Sequence, residues 1–105
     1  MLVFFSELKK EQAALKILLL QRRRTLKIHE TLKGELKTMF DLQLSTIDLQ
    51  ISDVLMEALK KMKSSVDPER VKLSMIKYTD TLSSETISHT ILAICLFCTM
   101  EEAGK

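Results

Sequence analysis

Apolar residues recur every three or four positions along most of this chain, the spacing of one face of an α-helix. On a wheel of 100° per residue, Leu8, Leu15, Leu18, Leu19, Leu26 and Leu32 form one stripe. Ala13, Ile17, Leu20 and Ile28 lie on the far side, and a helix with two apolar sides touches two neighbours. Ser6 offers an N-cap for this first helix. Gly34, the one internal glycine, either stops the helix or is crossed by it as a weak point.

A second periodic stretch runs through Phe40, Leu44, Ile47, Ile51, Val54 and Ala58 in alternating steps of four and three, a coiled-coil-like seam. Leu42 to Ile51 also alternates like a strand, but no Asn-Gly or Gly-rich turn supports a hairpin, so helix is expected. Lys60, Lys61 and Lys63 suit the negative end of that helix. Asp67-Pro68-Glu69 combines an N-cap, a proline at the first helical position and an acid in the first turn. It opens a third helix carrying Val71, Met75, Tyr78 and Leu82. Ser83-Ser84-Glu85 opens a fourth, ending near Glu102.

Composition agrees. Two glycines, one proline and no asparagine leave few turn residues, and eighteen leucines against four phenylalanines favour helix over sheet. At 105 residues the chain has room for one domain, residues 1–105. The expected fold is all-α and four-helix bundle-like. Its N-terminal helix is long, either continuous through Gly34 or ended there. Its C-terminal helix should be central, because Ile91 to Cys98 is apolar all round. A bundle of this size cannot hide such a helix completely, so a homodimer or higher oligomer is expected.

Charge adds a second theme. The net charge of +2 hides an asymmetry: residues 1–40 hold nine Lys or Arg against four acids, and residues 41–105 seven against ten. Lys9, Lys16, Arg23 and Lys27 lie within about 40° of one another and form a ridge roughly 27 Å long, able to track phosphates. The aromatic residues that single-strand binders stack on bases are missing there. Arg22 and His29 sit on the main apolar stripe. They either set the register of a helix pair or lie at its edge with their heads in water.

Several functions lack a basis in the residues. Cys95-Leu-Phe-Cys98 matches C-x-x-C by spelling but lies late in an apolar helix without a neighbouring cation, so the thiols read as buried packing groups. His29 and His89 lack a spaced metal partner, and no Gly-rich loop cradles a phosphate. No catalytic residue, metal or cofactor is expected. A helix-turn-helix over residues 68–102 fails because its reading helix would be apolar. No stretch reaches the roughly 20 apolar residues of a membrane span. With no signal-peptide pattern at the start, an intracellular, cytoplasmic, soluble protein is the expectation.

The leading expectation is a non-enzymatic helical interaction or assembly module that associates with itself, and possibly with another protein, through Leu15, Leu19, Leu26, Phe40, Leu44, Ile47, Ile51 and Val54. The alternative is a small nucleic-acid-binding protein using Lys9, Lys16, Arg23 and Lys27.

Overall fold

The computed structural model describes residues 5–104, and every regular element among them is helical. A 3-10 turn at Phe5–Leu8 leads into α1 (Lys9–His29), followed by α2 (Glu35–Lys61), α3 (Pro68–Thr79) and α4 (Ser84–Ala103). Each helix packs on its neighbour in sequence, and α4 closes back onto α1. The fold is thus the expected all-α, bundle-like one.

The ends of the helices follow local chemistry. Asp67 caps α3 as its spacing predicts, its Oδ1 accepting from the Glu69 amide at 3.1 Å with Pro68 at the first position. Ser83 caps α4 by accepting from the Thr86 amide. Ser6 does not cap α1: it lies inside the 3-10 turn, and Leu8 occupies the N-cap without a side-chain bond. What fixes that end is burial, since Leu8 is a core residue.

Gly34 decides the question of continuity. α1 ends at His29, and Gly34 stands before α2 with φ 67° and ψ −138°, a conformation essentially reserved for glycine. The two helices are therefore separate and fold back on each other. At the other end of α2, Lys63 takes φ 54° while the Ser64 amide reaches the Leu59 carbonyl and the Lys63 amide the Lys60 carbonyl. This is a Schellman ending with lysine where glycine is preferred.

The core lies where all four helices meet. Ile51 and Leu55 of α2, Val71 and Met75 of α3, and Ile87 and Ile91 of α4 are fully enclosed, with Leu15 and Leu19 of α1 beside them. α4 buries Ile87, Ile91, Leu92, Ile94, Cys95 and Cys98, but Ala93, Phe97 and Met100 face outward. Its apolar circumference is thus covered on one side and open on the other. The molecule measures 49 × 26 × 21 Å. Its length comes from the α1–α2 hairpin: α2 alone spans about 40 Å, whereas the 12-residue α3 covers about 18 Å. Between Thr25 and Ile47 no side chain is fully buried, so this end of the hairpin runs past the core.

Candidate interaction surfaces

Three polar pairs fix how α1 lies on α2. Lys61 Nζ binds both carboxylate oxygens of the buried Glu11 at 2.7 and 3.1 Å. Arg22 Nε donates to Asp48 Oδ1 at 2.9 Å, and His29 Nε2 meets Asp41 Oδ1 at 2.6 Å. The two residue numbers in each pair add to nearly the same value, as an antiparallel pair without slippage requires. One-residue slips would break all three pairs, and Glu11 would be left as an unpaired buried charge. Arg22 and His29 therefore set register, and they do so inside one chain.

This pairing relocates half of the expected interface. Leu15, Leu19, Ile47 and Ile51 belong to the chain's own core, so they are not a surface for another copy. The physical reason is the turn at Gly34, which supplies α1 as the intramolecular partner for the α2 seam. Leu26, Phe40, Leu44 and Val54 are half-buried along the same pair. Of these, Val54 lines an open groove.

That groove is the main surface feature. On the face of the α1–α2 pair turned away from the core, one hollow of about 290 Å³ is lined by Lys10, Glu11, Ala14, Asp53, Val54, Glu57 and Lys61. A second, of about 390 Å³, shares Ala14, Asp53 and Val54 and adds Ile17, Leu18 and Gln50. A third, of about 360 Å³, shares Gln50 and continues to Gln21, Thr46, Gln43 and Leu42. The shared residues make this one continuous trough. Lys10, Ala14, Ile17 and Gln21 recur on α1 at helical spacing, and the series continues to Arg24 and Ile28. On α2 the matching series is Glu57, Asp53, Gln50, Thr46 and Gln43, continuing to Met39 and Leu36. Ile17 is 62% exposed and Leu42 66%, with Ile28, Leu36 and Met39 also open. The sequence hinted at half of this through Ile17 and Ile28 on the far side of α1. The α2 half escaped notice because Gln, Thr and Asp dilute its periodicity.

A second groove, about 510 Å³, lies between α3 and α4 and is lined by Ser74, Tyr78, Ala93, Ile94, Phe97, Cys98 and Glu101. Its charged neighbours are engaged. Arg70 forks onto Glu101 and Glu102, and the Lys77 ammonium sits 5.5 Å from the Tyr78 ring centre.

The basic ridge survives in part. Lys9 and Lys27 are exposed and Lys16 is half-buried. Arg23 is committed elsewhere, because its Nη2 donates to the Thr79 carbonyl in the last turn of α3. There it satisfies a helix-terminal acceptor and complements the helix dipole. A four-cation ridge is thus reduced to three members.

Candidate chemistry is sparse among the described residues. Cys95 and Cys98 are buried free thiols, and burial together with the neighbouring Cys98 pushes the Cys95 thiol up to about 12. Such a thiol is almost entirely protonated at neutral pH and is a poor nucleophile. No group of three or more His, Cys, Asp or Glu is placed to hold a metal ion, and no helix is long and apolar enough to cross a membrane. Comparison with protein-family models, with curated proteins and with solved structures finds no match for this chain.

Proposed function

We propose that this protein is a non-enzymatic helical assembly module that associates with itself through the outer face of its α1–α2 hairpin. The observation that carries this reading is the continuous trough there, with Ile17, Ile28, Leu36, Met39 and Leu42 exposed on or beside it. Contiguous exposed apolar surface on a small protein marks an association site, because leaving it in water costs about 25 cal/mol per Å². Its mixture of Ile, Val, Gln and Asp suits an interface that opens and closes better than a permanent core. A cytoplasmic site of action belongs to the same reading and is supported by the two unpaired thiols.

Light-scattering mass on a sizing column, with absorbance at 260 and 280 nm, tests the proposal. The expected peak lies at a multiple of 12.0 kDa with a low 260 nm signal. With no tryptophan and one tyrosine the protein itself absorbs little, so bound nucleic acid would dominate the trace. A 12.0 kDa peak at every concentration would refute self-association. The second reading, a polyanion on α1, is favoured by the seven Lys or Arg against one Glu in that helix. It requires affinity for duplex DNA to fall with salt at a log–log slope of about −3.

A further inference from the structure

We draw no further inference here: the strongest candidate, the open trough along the outer face of the α1–α2 hairpin, mixes Lys61 with Asp53 and Glu57 on its α2 side, and nothing in the structure shows what covers it.

Discussion

The two halves of the α1–α2 hairpin are built from similar residues and behave differently. Near the open ends of the helices, α3 and α4 cover the inner face, and Leu15, Leu19, Ile51 and Leu55 are enclosed. Toward the Gly34 turn the hairpin runs on uncovered, with Leu32, Phe40 and Leu44 only half-buried and Leu36, Met39 and Leu42 open. Leucine at helical spacing does not specify a core by itself. What the chain folds against it decides whether a seam becomes interior or remains surface. The covered part holds the fold together, and the rest of the hairpin keeps its apolar side chains at the surface.

Truncation breaks the comparison most sharply. Ile51→Ala, at a side chain with 0% exposure, should cost about 2–5 kcal/mol in chemical denaturation. Leu42→Ala, at a leucine 66% exposed, should cost less than about 0.5 kcal/mol. Equal costs would mean that the hairpin end is covered in the folded monomer. A charge at Ile47, which the sequence pattern assigns to an interface between chains, should unfold the chain, because that residue is buried in its own core.

The turn is the next lever. Gly34→Ala meets open space but must hold φ 67° and ψ −138°, so a loss of about 1–3 kcal/mol is expected in thermal or urea unfolding. A neutral result would show that the helices tolerate another connection. The opposite sign is expected at the far end of α2. Lys63→Gly relieves a positive φ and should stabilise by up to about 1 kcal/mol, with destabilisation as the contrary result.

The smallest effect concerns acid. Glu69 is held below its ordinary 4.5 by Lys72, to which it is paired at 2.8 Å, and then by the Ser52 hydroxyl, which donates to it at 2.8 Å. Because the folded protein prefers the carboxylate, the contribution is complete above the ordinary value. It is lost as pH falls below 4.5 through the depressed value. The acid limb of stability against pH should therefore be shallower in Glu69→Gln. An unchanged limb would remove this α2–α3 contact from the account.

Much of the fold was legible because its chemistry is local. Asp67 and Pro68 write the start of α3 within three residues, and Ser83 does the same for α4. Other features depend on partners distant in sequence. The periodicity of Ile47 and Ile51 declares that a helix faces them, but not that this helix is α1 of the same chain. Arg23 reads as a surface cation until the end of α3 arrives beside it. Ser6 lost the N-cap to the burial of Leu8, a tertiary effect that a capping preference cannot anticipate. The outer trough was half visible, because Gln21, Gln50 and Thr46 interrupt its apolar rhythm.

Everything proposed for function turns on whether the outer strip joins copies of the chain. The most direct measurement is light-scattering mass over a wide concentration range for wild type beside Ile17→Asp, a change at a side chain 62% exposed. The account predicts a wild-type mass at a multiple of 12.0 kDa that falls to a single chain in the variant, with helix content unchanged. A wild type that stays at 12.0 kDa throughout, or a variant whose mass equals that of the wild type, would contradict it.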